Sequence, residues 1–400
     1  MKYVIVLGDG MADRPIKKLQ GKTPLEVADK PHIDSIAKAG KSGKLKTIPE
    51  DMPKGSAVAN LGVLGYDSHQ FFQGRGVLEA ANMGIHLDEN DLALRLNLMT
   101  IEDEKIKNHS AGHIGTEEAA ELVEALNKSF EYEGVQIFPG ISYKHLLVIK
   151  GGSSKIECFP PHDYPGIDFK TLMVKPLEEE GNQTAELLNE LITRSHEILK
   201  DHPVNIKRME AGKDPANSIW PWSQGNKPLM PTFKELYNLN GAIISAVDLI
   251  NGIGVYAGMD IIKVEGATGL YDTNYEGKAE AAIEALKTHD FLYLHVEATD
   301  EAGHDGDTDL KIQCIEYLDH RIVKYLLEHR EEIGDELTIA VLPDHPTPVE
   351  LRTHTREAVP FAIMKPGEEP DAVEVYTEKA AEKGAFGTIE GPEFIRLLIS

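Results

Sequence analysis

Three apolar runs in this chain end in the same way, and that repetition narrows the folds open to it. Lys2-Tyr-Val-Ile-Val-Leu7 stops at Gly8-Asp9-Gly10, and Leu337-Thr-Ile-Ala-Val-Leu342 stops at Pro343-Asp344-His345. Phe291-Leu-Tyr-Leu-His-Val296 leads into Glu297-Ala-Thr-Asp300-Glu-Ala-Gly-His304. Short apolar runs without alternation read as strands of a parallel sheet, buried on both faces. In open α/β sheets, ligands sit beyond the carboxyl ends of the strands. Asp9, Asp300, His304, Asp344 and His345 are therefore expected to converge, and His354, in Arg352-Thr-His354-Thr, lies close enough in sequence to join them.

The donor types define the chemistry. Carboxylate oxygen and imidazole nitrogen, with no thiolate, suit Mn²⁺ or Zn²⁺ rather than a structural thiolate zinc site. The set exceeds what one four-coordinate ion needs, so two ions are expected. Such pairs stabilise both the attacking and the leaving oxygen of a phosphoryl transfer. A single Asp at a strand end would be an ordinary cap or turn residue, but three strands ending this way need a shared cause.

At 400 residues the chain exceeds the roughly 250–300 at which single cores stop growing, so two domains are expected. A net charge of −25 argues against nucleic-acid or anionic-membrane partners. A small anionic substrate would then need local positive charge from metals, Arg or Lys. The two cysteines, Cys158 and Cys314, have no metal-ligand spacing, and a cytoplasmic protein without a disulfide is expected. No secretory signal pattern precedes the first strand, and no apolar stretch reaches the roughly 18 residues of a membrane span.

A Pro/Gly-rich loop, Pro49 to Gly55, delivers Ser56 to the start of a small-residue helix. Free N–H groups and the macrodipole at a helix start favour phosphate. A serine there is either a helix cap or, with a metal to activate it, a nucleophile. The neighbouring metal cluster favours the nucleophile. Gly74-Arg75-Gly76 offers an arginine as a phosphate contact. Gly21-Lys-Thr23 and Gly40-Lys-Ser42 lack the earlier glycine of a phosphate loop, since Ile16 and Ser35 stand there. Residues 95–225 have a different character: strand and helix patterns are separated by loop-rich tracts, ending in a breaker-rich linker, Asp214 to Gly225, with both tryptophans. They are expected to form an inserted domain, leaving 1–94 and 226–400 as one α/β domain.

These motifs together resemble the cofactor-independent phosphoglycerate mutases of the alkaline phosphatase superfamily, most closely their short archaeal-type branch, which also occurs in bacteria. The resemblance covers essentially the whole chain. It rests on Gly8-Asp-Gly-Met-Ala-Asp13, Gly55-Ser56, Ala59-Asn-Leu, Leu64-Gly-Tyr-Asp67, Gly266-Ala-Thr-Gly269, Glu297 to His304, Asp344-His-Pro-Thr-Pro348 and Thr353-His354. It implies a three-layer α/β/α core with an inserted, smaller α+β cap. It also implies that Asp9, Ser56, Asp344 and His345 surround one ion while Asp300, His304 and His354 hold the other. Mn²⁺ is the expected ion, with Zn²⁺ or Mg²⁺ as alternatives, and 2,3-bisphosphoglycerate is not required. Ser56 would carry the phosphate between the two hydroxyls of glycerate, and the cap would keep water out. By the same resemblance His113, in Ser110-Ala-Gly-His-Ile114, is a substrate-binding candidate, and Lys144 stands where relatives often carry Arg. Some bacterial members of the branch have been proposed to be homoserine kinases. That activity and a metal-dependent phosphomonoesterase are the alternative readings.

Overall fold

The computed structural model describes residues 1–400 and divides the chain into two compact units, one of Met1–Phe72 with Met230–Ser400 and one of Gln73–Leu229. The first unit is built on an eight-stranded sheet. In chain order its strands are β1 (Lys2–Gly8), β2 (Lys41–Lys46), β3 (Gly241–Ile244), β4 (Asp260–Ile261), β5 (Phe291–Val296), β6 (Leu337–Leu342), β7 (Val359–Met364) and β8 (Thr388–Glu390). They lie side by side as β4-β3-β5-β1-β6-β7-β2-β8. Only β7 runs against its neighbours. The three strands singled out in the sequence, β5, β1 and β6, are adjacent and parallel, with Leu7 opposite His295 on one side and Leu342 on the other.

Side chains alternate between the faces of a strand. Val4, Val6, Leu292, Leu294, Ile339 and Val341 therefore share one core with residues of helices Pro31–Ala39, Tyr275–Thr288 and Thr308–Tyr317. Ile5, Leu7, Tyr293, Ala340 and Leu342 point the other way and are equally buried. Helices Ser56–Val63, Asp248–Tyr256 and Gly391–Ile399 cover that face. Helices on both faces explain why these strands carry no polar side and read as unbroken apolar runs. Thr23 starts a short helix, Pro24–Val27, with the reciprocal side-chain and backbone bonds to Glu26 that its sequence predicts. No helix is long and apolar enough to cross a membrane.

The second unit is α+β. Leu92–Glu102 is its central strand, paired antiparallel with Lys144–Ile149, with Ser218–Asn226 and, near its end, with Lys105–Asn108. Helices Thr116–Ser129 and Asn182–Leu199 complete its core. Two sequence expectations differ from this. The unit begins at Gln73 rather than at residue 95, because helix Arg75–Asn82 packs on strands Leu92–Glu102 and Ser218–Asn226. That packing is close: a Cβ on Gly76 would stand 2.7 Å from the carbonyl oxygen of Ala93, and one on Gly74 would collide with that of Gln224. Gly74 also has φ +114°, which an L side chain rarely adopts. The second difference is the tract read as a linker. Ser218–Asn226 is a strand with Trp220 and Trp222 buried. It pairs with Leu92–Glu102 alone, so Pro221 sits on an edge strand, where a missing N–H is tolerated.

Candidate active site

The carboxyl ends of β1, β5 and β6 bring the sequence candidates of the first unit together. Asp9 follows β1, with its N–H on the Val296 carbonyl at 2.9 Å, and Gly10 donates its N–H to Asp344 Oδ1 at 3.1 Å. Gly10 needs its glycine: φ is +61°, and a Cβ would stand 2.5 Å from Asp300 Oδ1. Asp300 and His304 lie one turn apart on helix Ala298–Asp305, immediately after β5. Asp344 and His345 follow β6 directly and are fully buried.

The ligand atoms fall into two main groups, Asp9–Asp344–His345 and Asp300–His304–His354, each with its atoms within 4.8 Å of one another. In the first, His345 Nε2 lies 3.5 Å from Asp9 Oδ1 and 3.4 Å from Asp344 Oδ2. In the second, Asp300 faces His304 Nε2 at 3.2 Å and His354 Nε2 at 3.4 Å, and those two nitrogens are 2.9 Å apart. Ser56 Oγ is 3.2 Å from His345 Nε2. Ser56 is the first residue of its helix, Gly55 is the cap position, and no side chain caps the end. The cap reading of Ser56 is therefore wrong for this helix. The serine is also buried, at 7% exposure.

The site's own charges call for cations. Asp9 is held well above the usual carboxylate range, by burial first and then by Asp344, Glu297 and Asp300. Asp9 Oδ1 and Glu297 Oε2 are shielded from solvent and have no hydrogen-bond partner. Buried carboxylate oxygens without partners are costly unless a cation meets them. These orphaned atoms and the all-oxygen-and-nitrogen donor set fit divalent ions.

Sequence inspection missed the supporting residues. His295, inside β5, places Nε2 2.9 Å from Asp9 Oδ2 and Nδ1 3.2 Å from Ser245 Oγ. Burial pushes its imidazole down to about 3, so it is neutral and orients Asp9. A lone histidine in an otherwise apolar strand was the available signal. Asn60, one turn after Ser56, donates to the Ser56 carbonyl at 2.7 Å and to Asp344 Oδ2 at 2.8 Å, and accepts from the Tyr293 hydroxyl. Thr347 donates to Asp300 Oδ1. Lys278 is buried, donates to the His295 carbonyl at 3.1 Å, and is pushed down to about 8, chiefly by burial.

Lys311 is a further omission. It shares a helix face with Cys314, Ile315 and Leu318, all buried. Its ammonium donates to Asp13 Oδ2 at 2.9 Å, the Thr347 carbonyl at 2.8 Å and the Ala12 carbonyl at 3.1 Å, tying the loop after β1 to the loop after β6. Lys311→Ala leaves Asp13 buried and uncompensated, and should destabilise the protein by about 3–5 kcal/mol. Denaturant unfolding measures this, and a loss below about 1 kcal/mol would contradict the assigned role.

The Asp300 carboxylate raises His304 to about 9 against the opposing effect of burial. Without metal, this pair contributes stability that is complete below the unfolded imidazole value near 6.5 and lost as pH rises through about 9. A divalent ion must displace the proton. Affinity at this group should therefore rise with pH up to about 9, by at most about tenfold per unit for one proton, then level off. Mn²⁺ titrations at about pH 6.5, 7.5 and 8.5 test this, and a flat or falling affinity would contradict it.

The remaining candidates lie in the second unit. His113 and Lys144 both stand against Tyr143, at 6.0 Å between rings and 5.6 Å from ammonium to ring. Arg75 begins helix Arg75–Asn82, and its N–H donates to Ser223 Oγ at 3.1 Å. His109 and His162 join the group: their rings are 6.0 Å apart, and His109 is 5.9 Å from Tyr143. Burial holds His162 below the usual imidazole value, with Arg95 and Arg75 adding to the shift and Asp163 opposing it. Arg95 stacks on Trp222 at 4.4 Å. Arg208 and Asn217 serve the unit's framework: Arg208 holds the carbonyls of Ala111 and Asp214, and Asn217 bonds the backbone of Ile101.

The model of the 2,3-bisphosphoglycerate-independent phosphoglycerate mutase family matches residues 37–205. A mutase of that name from Methanosarcina barkeri is 50% identical over 403 residues, covering 100% of this chain and 99% of the relative. The chain belongs to this family. A probable mutase of the same name from Geobacter sulfurreducens is 45% identical, with both chains covered completely. Among solved structures, the cofactor-independent phosphoglycerate mutase from Thermoplasma acidophilum superposes with a TM-score of 0.71 at 28% identity, over 100% of this chain and 99% of that one.

Proposed function

We propose that this protein interconverts 3-phosphoglycerate and 2-phosphoglycerate, with the phosphoryl group held in transit on Ser56. The observation that carries this reading is Ser56 Oγ, 3.2 Å from His345 Nε2, at a helix start beside the Asp9–Asp344–His345 donors, in a chain of this family. In the proposed arrangement Asp9, Ser56, Asp344 and His345 hold one divalent ion, and Asp300, His304 and His354 hold a second. Mn²⁺ is the expected ion, with Zn²⁺ and Mg²⁺ as alternatives. Bound there, the ions would supply positive charge to the phosphoryl oxygens and lower the pKa of the serine hydroxyl.

The chain's residues account for the rest. Ser56 Oγ attacks phosphorus, the P–O bond to the first glycerate hydroxyl breaks, and that oxygen takes a proton. Glycerate then presents its other hydroxyl, which attacks the phosphoserine and regenerates Ser56. Asn60 fixes the backbone at Ser56 and the Asp344 carboxylate through one amide, so nucleophile and acidic ligand keep their spacing. The N–H groups at a helix start lack intrahelical partners and suit phosphate oxygens. Arg75, on its charge, and His113 and Lys144, by the family resemblance, are proposed as substrate contacts.

Purified protein assayed separately with 3-phosphoglycerate, with homoserine plus ATP, and with a generic phosphomonoester tests the reading. Formation of 2-phosphoglycerate without added 2,3-bisphosphoglycerate is expected. ATP-dependent phosphorylation of homoserine, or phosphate release alone, would overturn it.

A further inference from the structure

A second His/Asp cluster stands apart from the active site, where the first turn of helix Pro31–Ala39 meets a π-helical stretch, Leu318–Val323. The π stretch interrupts the run of helix that begins at Thr308. Such single-turn departures often mark functional positions. This one carries Asp319 and His320.

The donors point at one place. His32 Nδ1 lies 2.7 Å from Asp319 Oδ2, and His320 Nδ1 lies 3.6 Å from the same oxygen. One ligand atom from each residue falls within a mutual 4.8 Å. A tetrahedral ion with bonds of about 2.0–2.2 Å sets its donors roughly 3.4 Å apart. The present separations bracket that value. The two rings stand nearly perpendicular, at 82°.

The outer partners expected of a metal site are also in place. Metal-binding imidazoles usually donate their other ring nitrogen to a carboxylate or carbonyl, and ligating carboxylates are themselves hydrogen-bonded. His320 Nε2 meets Asp29 Oδ2 at 3.1 Å, and Asp319 Oδ1 accepts the Ile33 N–H at 2.6 Å. Asp319 is fully buried, His32 and His320 are 27% and 40% exposed, and the cluster is open to an ion and to completing water ligands. Capping of the helix by Asp319 explains Oδ1. It does not explain why two imidazole nitrogens share Oδ2. The positive end of the Pro31–Ala39 dipole opposes a cation, and the two carboxylates, Asp319 and Asp29, offset it.

We propose that His32, Asp319 and His320 form a third metal site, separate from catalysis, selective for Zn²⁺, Ni²⁺ or Cu²⁺. Two imidazoles and one carboxylate favour these borderline ions over Mg²⁺ or Ca²⁺. The bound ion clips together segments 287 residues apart in sequence.

Zinc equilibrium dialysis of the full-length protein, with bound metal counted by mass spectrometry, tests the proposal. Wild type should hold one more Zn²⁺ per chain than the double variant His32→Asn, His320→Gln. Zn²⁺ added to Mn²⁺-loaded protein should raise the Tm of wild type more than that of the variant. The phosphoglycerate mutase rate with Mn²⁺ should be the same in both. The single variant His320→Gln leaves the Asp319 bonds to His32 and Ile33 intact and guards against misfolding of the double variant. It should bind the extra ion about tenfold or more weakly. Equal zinc counts in wild type and a folded variant, or unchanged affinity in His320→Gln, would overturn the proposal.

Discussion

Ser56→Ala should lower the rate of phosphoglycerate interconversion by on the order of 10³-fold or more, since removing a covalent nucleophile abolishes the intermediate that divides the reaction into two steps. The expectation rests on position. The hydroxyl is not spent on capping its helix, and its one described partner is His345 Nε2 at 3.2 Å. Losing that contact from a buried site should destabilise the fold by only about 0.5–1.5 kcal/mol, so the variant should remain folded and metal-loaded. Circular dichroism and metal counting on the variant separate chemistry from misfolding. Wild type incubated with labelled 3-phosphoglycerate should carry label on Ser56, and the alanine variant none. A folded variant that still interconverts the phosphoglycerates at a comparable rate would show that Ser56 is not the carrier.

Exhaustive chelation should have an effect of similar size on rate. Asp9, Glu297, Asp300 and Asp344 crowd the ends of three adjacent strands, and the repulsion among them adds to burial in raising Asp9 and Glu297 well above the usual carboxylate range. A divalent ion reverses that local logic by supplying the largest charge in the site. Loss of several kcal/mol of charge stabilisation in the transition state corresponds to on the order of 10³-fold in rate. Activity should return on adding Mn²⁺, and the chelated protein should melt at lower temperature than the reloaded one. Full activity in protein shown to be metal-free would sink the two-ion reading.

Much of this site was legible in the sequence because parallel strands buried on both faces leave an unusual signature. A run such as Leu337–Leu342 has no polar side to confuse its period, and the change to Asp344-His345 marks where the strand ends. Asp9, Asp300 and Asp344 could be grouped before any coordinates, since strand ends in such sheets share one edge. The order β5-β1-β6, which makes those ends neighbours, is a property of pairing across hundreds of residues and was not readable. Strand β2 was hidden for a related reason: Lys41-Ser-Gly-Lys-Leu-Lys46 has little β propensity, and pairing with β7 and β8 makes it a strand.

The sequence by itself determined the chemical types at the site, the α/β character of the ends of the chain, and the helix start at Ser56. Those depend on local pattern, and local pattern is what composition and spacing encode. Only the tertiary structure decided that His295 orients Asp9, that Asn60 links Ser56 to Asp344, and that Lys311 joins two loops. Each is a single polar side chain in an apolar setting, and its meaning lies in a partner brought near by packing. Tertiary contact also turned the breaker-rich Ser218–Asn226 into a strand, because burying Trp220 and Trp222 outweighs the local preference of Pro and Gly for turns.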